Sequence, residues 1–329
     1  MKPVMTIAAA AVLSLLAGAP AFAANDYTAL LKARKFAEVE LAANAKLAQD
    51  STNIDALVAK HDAILGVGLE SRIEEAVKLA EQCVAAHPQS PDCHIALGNA
   101  LGTKAMHGGL MAAMGYVGTI RDAFKKAVEL DPRNLEARFA LFQFYQQAPA
   151  IAGGGSGKAK TLAADSAAIN AEAGKLMFAM LDLADDQLAK AETAAMSLRP
   201  GGNEALQDSL RDLLINLGNR YLNEKRYADS ERLFREVQKR YADTEWAPYG
   251  LARVQQEQGK HREAIAGFEQ ALAITAKPHM YYRIGQSWQA LGEKAKASAM
   301  FEKALSFKTG LSKKMKSDAE DQIKALKRA

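Results

Sequence analysis

Three stretches decide how this chain is read. They are Leu217-Gly218-Asn219-Arg220-Tyr221 with Tyr227, Ser230, Phe234 and Val237; Leu251-Ala252 with Gly259, Ala264, Phe268 and Ala271; and Ile284-Gly285-Gln286-Ser287-Trp288 with Gly292, Ala297, Phe301 and Ala304. Phe234, Phe268 and Phe301 are 34 and 33 residues apart, and so are Leu217, Leu251 and Ile284. In each stretch an apolar-small pair opens one helix. A small residue, a Phe four positions on and a small or β-branched residue three further share one face of a second helix. Small side chains let two backbones approach, and the Phe fills the space between successive pairs. One such pair cannot bury its apolar face alone, so neighbours must stack.

This pattern resembles the tetratricopeptide repeat, a unit of two antiparallel helices. The resemblance implies an all-α, right-handed superhelical solenoid whose first helices line a concave binding face. Upstream, Ala76, Ala80, Cys83 and Pro88 fit a second helix and its closing proline. Leu97-Gly98 and Leu101 fit the next first helix, and Phe124, Ala127 and Asp131-Pro132 fit that repeat's end, ten residues late. Glycines at 102, 108, 109, 115 and 118, with Met106, Met111 and Met114, therefore predict an enlarged loop over 103–118. A second enlarged loop is expected at 148–157. Pro200-Gly201-Gly202-Asn203 divides an irregular array (24–200) from a regular one of three repeats (204–329). Leu311, Met315, Ala319, Ile323 and Leu326 form one side of a capping helix with lysines opposite. The enlarged loops also look like those of exported proteobacterial repeat proteins, and like the helical T component of some tripartite periplasmic transporters.

Over 329 residues, 42 Lys+Arg face 38 Asp+Glu, a formal +4, with 49% apolar and 24% charged residues. That excludes a disordered or collagen-like chain, and it argues against a nucleic-acid-coating surface. Aromatics are only 7%, which suits close helix packing more than a β-rich core. Lys2, the apolar run Val4 to Leu16 and the small pair around Ala21-Phe22-Ala23 predict a signal peptide over 1–23, cleaved after Ala23. The expected location is the periplasm, with no transmembrane segment in the mature chain.

Chemical motifs are few. Gly153-Gly154-Gly155-Ser156-Gly157-Lys158 mimics a phosphate-binding loop, but Ala159 replaces the Ser or Thr that would hold Mg²⁺, and a helix precedes it where a strand is needed. Cys83 and Cys93 are the only cysteines. Across a short helix–helix turn in an oxidising compartment they favour a disulfide, which by loop closure would contribute roughly 3 kcal/mol. With His87 and His94 they match no common zinc spacing. No Ser-His-Asp elbow or HExxH motif occurs. The expectation is a non-catalytic periplasmic scaffold without cofactor or metal, binding a protein or peptide of the cell envelope and not nucleic acid. The alternative is a solute-binding or transport accessory subunit with an apolar pocket near the Gly/Met-rich insertion. In the resembling family, first-helix positions line the groove. Counted here, these are Asn219 and Asn223, then Tyr249, Arg253 and Gln256, then Tyr282, Gln286 and Gln289.

Overall fold

Short polar side chains mark where many of the helices begin. Asn53, Ser90, Asn134, Asn170 and Asn203 each accept the backbone N–H three residues on, at Ala56, Cys93, Ala137, Ala173 and Leu206. This satisfies one of the donors that a helix start leaves unpaired. In the computed structural model, which describes residues 24–307 and 309–328, these starts belong to a chain of helix pairs with no strand among the described residues. The signal peptide expected over 1–23 lies outside the described residues.

The pairs are α1 (Ala24–Lys32) with α2 (Phe36–Leu47), α3 (Ile54–Val67) with α4 (Ile73–Ala86), the two arms of α5 (Pro91–Leu130), and α6 (Leu135–Gln147) with α7 (Ser156–Ile169). Then come α8 (Ala171–Ala184) with α9 (Leu188–Ser197), α10 (Glu204–Asn223) with α11 (Tyr227–Arg240), α12 (Trp246–Glu257) with α13 (His261–Ile274), and α14 (Pro278–Ala290) with α15 (Lys294–Leu305). The last helix, α16 (Lys313–Arg328), packs on α15 and α14. Each helix packs on the next, and first helices also meet first helices: α3 with α5, α6 with α8, α8 with α10, and α10 with α12.

The repeating Phe does what its spacing predicts. Phe234, Phe268 and Phe301 are fully buried, as are the small residues four positions earlier, Ser230, Ala264 and Ala297. A methyl group added at Gly250 or Gly285 would sit 2.3 Å from Phe234 or 2.8 Å from Phe301, so helix and ring are already in contact. Ser230 adds a hydrogen bond, its hydroxyl donating to the Gly218 carbonyl at 2.8 Å. Five of the turns within pairs share one geometry: a residue with positive φ (Arg34, Asp186, Lys225, Gly259 or Gly292), followed by an N–H that reaches the carbonyl five residues back. That is the Schellman ending.

Residues 103–118 depart from the expected loop. They are helical throughout except at Gly109, where φ 76 and ψ −173 turn the chain between the two arms of α5. The inserted residues lengthen both helices of one pair into a projecting hairpin, and Met106, Met111 and Met114 are exposed near its tip. The stretch 148–157 is irregular as expected, around a short 3-10 turn at Ala150–Ala152.

The turn between α1 and α2 also reaches across the array. Lys32 pairs with Glu204 at the start of α10. Arg34 meets Glu245 at 3.0 Å, and Lys277 meets the same carboxylate at 2.6 Å. Glu245 is fully buried. Burial pushes its carboxyl up, but the Lys277 hydrogen bond and the nearby cations outweigh this and hold it below its ordinary value. These contacts clasp the N-terminal pair onto α10 and α12.

Candidate functional site

The first helices α3, α6 and α10 and the first arm of α5 line three adjoining hollows; Asn99 lines all three, and Asp62, Glu136 and Gln143 each line two. The largest, about 640 Å³, lies between α3, both arms of α5, and α6. Met106, Val117, Ile120, Phe124 and Phe144 make its wall mostly apolar. The long hairpin supplies most of that wall, with Thr103, Ala105, Met106, Ala113 and Val117 coming from the insertion. The other two, of 80 and 320 Å³, are flanked by Asp62, Asp92, Glu136, Glu204, Asp208 and Asp212. No Lys or Arg lines any of the three.

Glu136 sits where these carboxylates converge. It is exposed on the groove wall, with the protein around it. Its pKa is raised to about 7, first by the surrounding low-dielectric protein and then by Asp62, Asp92, Asp208 and Glu204. Asp92 is raised in the same way, by desolvation and then by Asp55, Asp131 and Asp62. Under Asp62 lies His61, fully buried, with Nδ1 2.8 Å from the Asp62 carboxylate. The groove continues through a 560 Å³ stretch rich in amides (Gln143, Gln146, Gln147, Asn216, Asn219) to the regular array. A hollow of 680 Å³ on the opposite side, between α11 and α13, offers Arg235 and Lys260 alongside Glu231 and Glu263, with no charge of one sign.

The eight positions counted from the repeat pattern are divided by the structure. Asn219, Arg253, Gln286 and Gln289 are partly accessible, and Asn223 is exposed. Tyr249, Gln256 and Tyr282 are buried and act as struts between repeats. Gln256 donates to the Arg283 carbonyl and to Ser287 Oγ, both at 2.8 Å. Tyr282 donates to Asp318 of the cap at 2.6 Å and accepts from Gln286 at 2.9 Å. Arg253 donates to Asn219 at 2.7 Å, and Gln289 to Gln322 at 2.6 Å. Substituting Tyr249 or Tyr282 therefore disturbs packing as well as any surface. The carboxylates of the N-terminal groove were not singled out in the sequence. Their first-helix positions were readable, but their convergence depends on how α3, α5, α6 and α10 curve together.

Cys83 and Cys93 form a disulfide, with Cα atoms 5.2 Å apart, that staples α4 to α5. Nε2 of His94 lies 3.0 Å from the Pro88 carbonyl, and His87 faces the Thr52 carbonyl. No cluster of three metal-ligating side chains occurs among the described residues. The glycine loop is not arranged to hold phosphate. The Gly155 N–H donates to the Tyr145 carbonyl, Gly154 to Pro149, and Lys158 turns back onto the Gly153 carbonyl at 2.8 Å.

Residues 278–309 match the tetratricopeptide repeat family. No curated protein matches the chain. Among solved structures, yeast Tom70 is similar over 93% of this chain and 59% of its own, with 11% identity and a TM-score of 0.62. A human IFIT1 chain, from a dimer with PPP-AAAA, is similar over 83% of this chain and 63% of its own, at 16% identity and a TM-score of 0.52. This chain thus spans about three fifths of those proteins, and the likeness is one of fold. The family match thus covers one repeat, α14 with α15, and the solved structures share with the rest of the chain its stacking of helix pairs.

Proposed function

We propose that the protein is a non-catalytic scaffold of the cell envelope, exported through residues 1–23, that holds a protein or peptide along its inner groove. The observation that carries this reading is the run of adjoining hollows along successive first helices, from α3 to α10, ending in exposed amide positions such as Asn223. Stacked helix pairs present extended surfaces of this kind to partners. The tetratricopeptide fold suggests such a role. Nothing in the comparisons favours a transport accessory subunit.

Two measurements test the proposal. A photo-crosslinking amino acid placed in turn at Met106, Glu136 and Asn223, in cells, should yield discrete crosslinked proteins identifiable by mass spectrometry. No crosslink at any of the three positions refutes the scaffold. Intact mass of the chain from a periplasmic extract should fall short of the reduced chain by two hydrogens, because Cys83 and Cys93 oxidise in that compartment. Two free thiols there refute the Cys83–Cys93 bond, and recovery of the chain from the cytoplasm only refutes the location.

A further inference from the structure

The inner groove has a marked sign. Six carboxylates and no cation line its narrow parts, in a protein whose formal charge is +4. Three of the six are in ion pairs with groups outside the lining. Glu204 is held by Lys32, and Arg211 bridges Asp208 and Asp212. Asp92 and Glu136 have no ion-pair partner among the described residues, and Asp62 has only the His61 ring. Like charges gathered around Glu136 repel one another, and a cation placed among them would relieve this. The carboxylates are not arranged as metal ligands. Beside them, sharing Asp62, Asn99 and Gln143, lies the larger apolar hollow. One of its edges is Met106, an adaptable side chain that is 74% exposed.

An occupant must therefore be apolar at one end and cationic at the other. A diffusible polyamine would satisfy the carboxylates and leave the apolar hollow empty. An acidic segment would meet repulsion along the whole floor. We propose that the groove binds a segment of a partner protein that seats a bulky apolar side chain against Met106, Val117 and Phe144 and a nearby lysine or arginine between Asp62, Glu136 and Asp208. This rests on the scaffold reading and gives its partner a chemistry. Burying the apolar side chain supplies affinity, and the carboxylates choose the sign of its neighbours.

Fluorescence anisotropy with labelled dodecapeptides tests it on the full chain. One peptide combines Leu and Phe with Lys and Arg, a second replaces the basic residues with Glu, and a third keeps the Lys and Arg but replaces Leu and Phe with Ser. Only the first should bind, and binding should weaken as salt rises. Glu136→Lys, at a water-facing position, should weaken it at least tenfold, and Met106→Asp should also weaken it. Circular dichroism melting should show both variants folded. Should either variant fail to fold, Glu136→Gln with Asp208→Asn replaces it and should also weaken binding. The proposal is overturned if the acidic peptide binds as well as the basic one, if spermine displaces the peptide at equal concentration, or if no peptide binds. The crosslinking positions separate its failure from that of the scaffold reading. Capture at Asn223 with none at Met106 or Glu136 sinks this groove and leaves the scaffold standing.

Discussion

His279 shows how a single ring ties the fold to pH. It stacks on Trp246 with ring centres 5.8 Å apart and an interplanar angle of 10°, and it meets Tyr249 edge-on at 5.0 Å. Its Nε2 is buried without a hydrogen-bond partner. Burial first, then Lys277, Arg283 and Arg253, depress its pKa to about 4, with Glu245 opposing them. The unfolded chain then binds the proton more readily than the folded one. Stability is complete above the unfolded value near 6.5 and is lost as pH falls towards 4, by up to roughly 3 kcal/mol. His279→Phe keeps the stacking surface and removes the titration. Its urea midpoint should match the wild type at pH 7.5 and exceed it at pH 4.5. An equal loss in both proteins between those pH values would contradict the assignment. None of this was legible in the sequence, where His279 is one of six scattered histidines. Its aromatic neighbours come from α12 and its cations from α12 and α14, and only the stacking of those helices brings them together.

At the scale of elements, the capping helix was legible and the hairpin was not. Leu311, Met315, Ile323 and Leu326 of the last segment do pack around Phe301 and Ala304, with Ala319 fully buried. Lys327 and Asp318 add polar ties to Glu302 and Tyr282. A spacing of three and four residues on one side is readable in any sequence, because a helix repeats every 3.6 residues. Deleting Leu311 to Ala329 should expose that face and lower the melting temperature by roughly 10 °C, since several half-buried apolar side chains lose about 1–2 kcal/mol each. A monomeric truncation with an unchanged melting curve would argue against the cap. The stretch 103–118 misled because its glycines carry weak helix propensity and read as a loop. In the structure both arms stay helical on either side of Gly109. Gly102, Gly115 and Gly118 have open space where a side chain would stand, so packing around them does not require glycine. Only Gly109 uses a conformation that other residues avoid. Three of the eight binding positions, Tyr249, Gln256 and Tyr282, are buried for a reason that spacing does not carry. Repeat counting identifies which residues face inward, but not which of them, like Gln256 and Tyr282, are already bonded to the next repeat.

For the whole molecule, the notable contacts are those between distant repeats. Nothing in a 34-residue period says how far the array curves, so the pairing of Lys32 with Glu204 and of Arg34 with Glu245 could not be read from spacing. The Lys32 pair is exposed on both sides and contributes little by itself. The Arg34 pair is different, because Glu245 is fully buried and shared with Lys277. Replacing both Lys32 and Arg34 with Ala should release the N-terminal pair, and small-angle X-ray scattering should report a larger radius of gyration. High salt should move the wild type part of the way. Identical scattering curves for the double variant and the wild type would show that packing alone sets the curvature. The clasp also bears on tempo. While it is shut the array is held at one curvature, and a long partner segment that needs a wider arc must wait for it to spread. If spreading is the slow step, the observed association rate should level off as partner concentration rises, and the plateau should lift when Lys32 and Arg34 are removed. How quickly the scaffold is loaded would then be governed by two ion pairs that need never touch its cargo.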